Sequence, residues 1–274
     1  RRAGGTLLAL VCGDGEIQPA YRLPARAQHA SHSRRHVQGF GACAAAGGRA
    51  QQSHPRRSEH EGITVKVAII DYGVGNLRSV EKAFAATGCE AIISSDESVL
   101  RRAERLVLPG VGAFRACMTA LQERGFDRLV QERANAGTPL LGVCVGMQLL
   151  FDESEEFGST RGLGLLRGRV RRFSGDLVVP HIGWNRIHQT RSHELFEGIE
   201  EGAFCYFVHS FYCEPADEKV VVGETEYGVR YASVVVEGNV CGVQFHPEKS
   251  QEVGLRMLRN FVTTDNSDFY SDQR

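Results

Sequence analysis

Three short stretches place chemically able side chains at junctions suited to attack on a carbonyl carbon. In Pro139-Leu140-Leu141-Gly142-Val143-Cys144-Val145-Gly146-Met147-Gln148, a cysteine stands between two glycines where an apolar run gives way to a helical pattern. Gly-x-Cys-x-Gly at such a junction is the nucleophile-elbow pattern with sulfur as the attacking atom. A tight turn lifts Cys144 above the strand end, and flanking glycines remove side chains that would clash there. The N-terminus of the following helix favours thiolate over thiol. The N–H of Val145 then points to where a tetrahedral oxyanion forms, which makes it an expected oxyanion donor.

The other two stretches supply what a cysteine nucleophile needs. Gly242-Val243-Gln244-Phe245-His246-Pro247-Glu248 follows a strand-like run. On an extended chain residues two apart share a side, so His246 and Glu248 are expected to face one cleft. His246 would take the thiol proton and return it to the leaving group, and Glu248 would orient the ring. Leu108-Pro109-Gly110-Val111-Gly112-Ala113-Phe114 is a glycine-rich strand-to-helix junction whose free N–H groups suit an anion. Val111 is the expected second oxyanion donor, and Gly112 permits close approach of substrate. Singly, each stretch has a plainer reading: a buried cysteine in a turn, a structural histidine, an ordinary connection. Together, and in this order, they define a Cys–His–Glu site for acyl transfer.

Those residues must be carried by something. Val65-Lys66-Val67-Ala68-Ile69-Ile70 reads as a buried strand. Asn76 is placed to cap a helix carrying Leu77, Val80 and Phe84 up to Gly88. A strand at Ala91–Ile93, a short helix capped by Asp96, and a strand at Leu106–Leu108 ended by Pro109-Gly110 follow. Helical sequence then runs from Ala113 to Asn135 with a break near Gly125, before a strand at Leu140–Val143. The alternation predicts an α/β domain: an open, mostly parallel, twisted sheet with helices on both faces. After Gly162 short strands arrive with few helices between (Gly168–Phe173, Phe204–Val208, Val220–Thr225, Ser233–Val236, Val240–Phe245), so an antiparallel extension is expected. A last helix covers Gln251 to Phe261. Asp71-Tyr72-Gly73-Val74-Gly75-Asn76 superficially suits a dinucleotide loop, but Arg78 stands where the third glycine belongs.

The chain of 274 residues is 42% hydrophobic and 24% charged with a net charge of −1, which gives no reason to expect nucleic acid or an anionic membrane as partner. No apolar run approaches the roughly 20 residues of a membrane span. The eight cysteines include no CxxC pair, which favours reduced, mostly buried thiols in a cytoplasmic protein over disulfides or structural zinc. No metal or cofactor is expected. His181, His188 and His193 fall on loop-like sequence and are read as surface or interface residues rather than ligands. Residues 1–62 hold nine arginines, no lysine and four acids, a net +5, while the remainder carries −6. With few aliphatic residues and no sustained period, residues 1–64 are expected to be a disordered extension. They are read as mostly upstream read-through ahead of a valine start near Val65. The expected organisation is therefore a 65–263 domain followed by a polar tail over 264–274.

The three stretches together resemble the triad-type glutamine amidotransferases over essentially all of residues 65–262, which implies a flavodoxin-like sheet. Finer blocks, Ala68-Ile69-Ile70-Asp71-Tyr72-Gly73-Val74-Gly75-Asn76-Leu77-Arg78-Ser79-Val80, Pro180-His181-Ile182-Gly183-Trp184-Asn185 and Tyr206-Phe207-Val208-His209-Ser210, resemble the glutaminase subunits of imidazole glycerol phosphate synthase. That resemblance implies hydrolysis of glutamine to glutamate and ammonia, and delivery of ammonia to a (β/α)₈-barrel cyclase subunit in histidine biosynthesis. By matched position, Gly112, Gln148, Glu156, Ser210 and Phe211 would line the glutamine site, and Asn76, Trp184 and Asn185 would lie toward the cyclase. Val145 stands where the family often has Leu, and Phe211 where it often has Tyr. The rival readings are a glutaminase serving another synthase, which the Asp-Tyr-Gly-x-Gly-Asn and Pro-His-x-Gly-Trp-Asn blocks oppose, and a non-catalytic binding subunit, which the complete triad opposes. Trp184, the single tryptophan, is expected on an exposed loop; burial in the core is the alternative.

Overall fold

The computed structural model describes residues 66–264. The expected extension over residues 1–64, Val65 and the tail from Asp265 onward lie outside the described residues. The first part alternates strictly: β1 (Val67–Ile70), α1 (Leu77–Ala86), β2 (Ala91–Ser94), α2 (Glu97–Arg102), β3 (Arg105–Gly110), α3 (Phe114–Glu123), α4 (Phe126–Asn135) and β4 (Leu140–Cys144). There follow α5 (Val145–Leu149), β5 (Phe151–Ser154), β6 (Thr160–Arg161), β7 (Leu166–Arg172), β8 (His181–Arg186), β9 (His188–Gln189), β10 (Phe204–His209), β11 (Phe211–Pro215), β12 (Val221–Tyr227), β13 (Val229–Glu237), β14 (Val240–Val243) and α6 (Gln251–Thr263).

Local chemistry explains the early elements. Every residue of β1, β3 and β4 is buried, as strands covered on both faces require. The α1 helix turns Val80, Ala83 and Phe84 inward, the spacing of a single helical stripe. Asp96 caps α2 by accepting from the Ser98 N–H at 2.8 Å. Asn76 holds the N-cap position of α1, but its side chain makes no capping bond. Gly125, with φ of 69°, ends the helical run before α4 restarts it.

The strands lie in the order β2-β1-β3-β4-β14, all parallel, and continue by antiparallel pairing through β13 and β11 to β7, then by a parallel pairing to β5 and an antiparallel one to β6. The first five give the flavodoxin-like order. The step from β1 to β2 runs one way and the step from β2 to β3 runs back over β1. Right-handed crossovers therefore put α1 on one face and α2 to α4 on the other. Parallel strands also leave the ends of β1, β3, β4 and β14 on one edge, where the loops after them meet. β8 and β10 form a separate antiparallel ribbon.

Several expectations need correction. β3 runs through Pro109 and Gly110, paired with Val143 and Cys144. Its pairing with β1 has ended by Val107, so no β1 partner awaits the N–H that Pro109 lacks. Past Pro180, the Pro180–Asn185 stretch is not a loop but the body of strand β8, His181–Arg186. Its partner β10 lies some way along the chain, a pairing that local Pro and Gly signals cannot reveal. The helix after Cys144 is only five residues long before the chain turns into β5. Strands β5, β6, β9 and β11 were not anticipated. Thr264, placed by sequence at the head of the tail, is buried, and its carbonyl accepts from the Arg105 guanidinium at 2.7 Å. Among the described residues, no helix is long and apolar enough to cross a membrane, and the six cysteines there are free and buried.

Candidate active site

Cys144 closes β4 with φ of 56° and ψ of −114°, a conformation that costs a β-carbon-bearing residue about 1–3 kcal/mol. The surroundings impose it. A β-carbon on Gly142 would lie 2.7 Å from the Gly146 carbonyl oxygen, and one on Gly146 would collide with the Leu108 carbonyl oxygen. The turn after β4 is thus pressed against β3, and only glycine fits either side of the cysteine. Cys144 is 3% exposed.

β14 lies beside β4 with Val243 opposite Val143, so the residues following it arrive next to the sulfur. The His246 ring stands near enough to Cys144 for the sulfur to favour its protonated form, and its Nδ1 lies 3.0 Å from Glu248 Oε1. Glu248 reaches it through the Pro247–Lys249 3₁₀ turn, not through the extended alternation expected from sequence. Two further bonds seat the histidine: its N–H donates to Tyr206 O at 2.9 Å, and its carbonyl accepts from Ser250 Oγ at 2.7 Å. Burial depresses the His246 imidazolium, but the neighbouring Cys144 and Glu248 outweigh it and push the group up to about 10. The Glu248 side chain is 1% exposed and its Oε2 has no hydrogen-bond partner.

The loop after β3 carries Val111, Gly112 and Ala113 into α3. Val111 is exposed, and Gly112 has φ of +87° with open space around it. Glu156, from the segment after β5, accepts from the Phe114 N–H at 2.6 Å, and its burial raises its carboxyl above the usual range. Gln148 on α5 is buried. Its Nε2 donates to Phe211 O and to Gln244 Oε1, both at 3.0 Å. Ser210 forms the bend between β10 and β11, and its carbonyl accepts from the Phe173 N–H at 3.2 Å.

Cys144, His246, Glu248, Gln148 and the Phe211 carbonyl are therefore contiguous, and Glu156 stands at the head of the Val111–Ala113 loop. Asn76 sits on the loop after β1 at the same sheet edge. Trp184 is 46% exposed on β8, edge-on to Tyr206 at 5.8 Å. Asn185 points the other way, its Nδ2 donating to Glu226 O at 2.9 Å and lying 3.4 Å from His181 Nε2. Adjacent strand residues face opposite sides, so the structure does not bring these two side chains together. His181 is buried, contrary to the surface reading: its Nδ1 meets His209 Nε2 at 3.1 Å, and its ring stacks on Tyr227 at 4.0 Å. Sequence reasoning also missed Gln244, whose Nε2 lies 3.9 Å from Cys144 Sγ, and Ser250. Their neighbours in the His246 stretch were the only available signal.

The model of the family "Glutamine amidotransferase class-I" matches residues 68–264. The fold is shared with a solved glutamine amidotransferase at a TM-score of 0.58 and 22% identity, covering 72% of this chain and 99% of that one. The chain belongs to the class-I glutamine amidotransferases. Within that class it is 50% identical over 202 residues to the imidazole glycerol phosphate synthase subunit HisH of Syntrophotalea carbinolica, covering 71% of this chain and 98% of the relative. It is 52% identical to the same subunit from Geobacillus kaustophilus, covering 72% and 95%. It therefore belongs with the HisH subunits.

Proposed function

We propose that the chain is the glutaminase subunit of an imidazole glycerol phosphate synthase, acting in the cytoplasm through a single domain over residues 65–263. The observation that carries this reading is one imidazole, His246, held by Glu248 at 3.0 Å and set beside Cys144 on the edge shared by β4 and β14. Cys144 sulfur attacks the side-chain carboxamide carbon of glutamine. The oxyanion formed is held by the N–H groups of Val111 and Val145. His246, lifted to about 10 and so holding its proton at neutral pH, gives that proton to the nitrogen as the C–N bond breaks and ammonia leaves. A water then attacks the thioester while His246 takes its proton, the C–S bond breaks, and glutamate departs. Glu248 keeps Nδ1 engaged so that the other ring nitrogen faces sulfur.

Gly112, Gln148, Glu156, Ser210 and Phe211 line the glutamine site, with the half-buried Glu156 carboxylate suited to a substrate ammonium. Asn76 and Trp184 lie toward a cyclase subunit that receives the ammonia, and the exposed Trp184 supports this placement most directly, whereas the Asn185 side chain turns to the other side of β8. The test is glutamine hydrolysis by the chain with and without its cyclase, together with a glutamine-mimicking electrophile. Hydrolysis in the presence of cyclase with label on Cys144 supports the reading. Label on another cysteine, or no hydrolysis with the cyclase present, overturns it.

A further inference from the structure

The polarity of two buried amides is fixed by the structure. The Phe211 carbonyl can only accept, so the end of Gln148 that meets it at 3.0 Å is the NH₂ group. The second hydrogen of that nitrogen reaches Gln244 at 3.0 Å, so the atom it meets there is Oε1. The other end of the Gln244 amide is then NH₂, and it lies 3.9 Å from Cys144 Sγ. Gln244 is fully buried, and its backbone N–H is held by Ser233 O at 2.9 Å. The sulfur meets an opposing group as well: the Val208 carbonyl oxygen, also at 3.9 Å. A carbonyl accepts from S–H and so favours the thiol, whereas an amide N–H favours the thiolate.

We propose that Gln244 is a further residue of the glutaminase machinery, donating its amide N–H to the Cys144 sulfur and stabilising the thiolate against the Val208 carbonyl, with Gln148 locking the direction of the donor. The inference rests on Cys144 being the nucleophile. Gln148 thereby acquires a role that precedes glutamine: it sets the amide chain that ends on sulfur.

The test is alkylation of Cys144 by iodoacetamide in the full chain, located by mass spectrometry, at pH 7 and pH 9. No glutamine is present, so substrate binding does not enter. Gln244→Leu removes the donor. Gln244→Glu keeps the shape and the oxygen that Gln148 bonds, but turns an acceptor toward sulfur. Alkylation at pH 7 is expected to fall about tenfold in the leucine variant, as the loss of one hydrogen bond to an anion predicts, and further in the glutamate variant, with the gap narrowing at pH 9. With cyclase present, kcat falls while KM changes little. Rates in both variants within about twofold of the parent at pH 7, or an equal loss at both pH values, overturn the proposal. Circular dichroism checks folding, and if the leucine variant does not fold the glutamate variant decides in the same sense. If the parent chain is not alkylated at Cys144, or if Cys144→Ala still hydrolyses glutamine, the nucleophile assignment itself fails, which is a different result.

Discussion

The parallel and antiparallel parts of the molecule serve the site in different ways. In the parallel part, β3, β4 and β14 end on one edge, and backbone geometry alone puts Cys144 in place: a strained turn, two glycines and a neighbouring strand in contact. In the antiparallel part and the β8–β10 ribbon, position depends on side chains. The His181–His209 pair with Tyr231 (3.2 Å from His209), the stacked Tyr227 and the exposed Trp184 are all held by partners distant in sequence. Rigid backbone carries the reacting atom, and a side-chain network carries the surface that a partner would touch. Damage to the first should stop chemistry, and damage to the second should change binding and stability.

The largest expected effect is on the parallel side. Cys144→Ala should lower glutamine turnover by about 10⁶-fold, leaving the chain folded by circular dichroism. Cyclase driven by free ammonia should keep working beside that variant, since ammonia bypasses the glutaminase. Residual turnover near the parent rate would end the comparison at its first term.

Next come His246→Ala and Glu248→Gln. The first should cost about 10⁴-fold and the second on the order of 10²-fold, because the second weakens orientation without removing the base. Equal losses, measured as kcat/KM with cyclase present, would mean that Glu248 does more than hold a ring.

The antiparallel side predicts a pH effect. Burial pushes His181 down to about 4 and His209 to about 3. The unfolded chain binds protons at both near pH 6.5 and the folded chain does not, so stability is lost as pH falls below 6.5 toward 4. The linkage amounts to about 2 kcal/mol per histidine at pH 5. His246, raised to about 10, behaves oppositely: its contribution is present below 6.5 and lost as pH rises through 10. Urea midpoints at pH 5, 6.5 and 9 should therefore peak at the middle value. A stability that is flat from 6.5 to 5 would mean the buried pair is charged or solvated.

The smallest effect concerns the ribbon. Trp184→Ala should weaken cyclase binding by about 2 kcal/mol or more, roughly 30-fold, with turnover per bound complex intact. The single tryptophan should emit at long wavelength in the free chain and shift to the blue when a tryptophan-silent cyclase binds. Unshifted emission, or unchanged affinity in the alanine variant, would remove the ribbon from the interface.

What was legible in the sequence follows the same division. Cys144, His246 and Glu248 announce themselves because glycine, proline and apolar runs encode the turns that carry them within a few residues. The open parallel sheet follows from the alternation of β1 to β4 with helices, and its flavodoxin-like order from the family resemblance. β8 was read as a loop because strand β10, which completes it, is not a local signal. His181 looked like a surface residue because nothing near it in sequence reveals Phe207, Tyr227 and Tyr231 packed around it. Gln244 was invisible for a related reason: its meaning lies in a hydrogen-bond direction set by Gln148 and Phe211.

The seat of His246 has a mechanical consequence. Its N–H is tied to the Tyr206 carbonyl and its carbonyl to Ser250 Oγ, and that same hydroxyl oxygen accepts from the Tyr206 N–H at 3.0 Å. Tyr206 belongs to β10, opposite Trp184 on β8, while the sulfur belongs to the main sheet. His246 thus hangs from β14 of the main sheet, beside the strand that carries Cys144, and is tied at the same time to β10 of the ribbon. A partner seated on Trp184 would therefore press on a ribbon that also helps to seat His246, and a misplacement of about 1 Å at a reacting group is on the scale that changes rates a hundredfold.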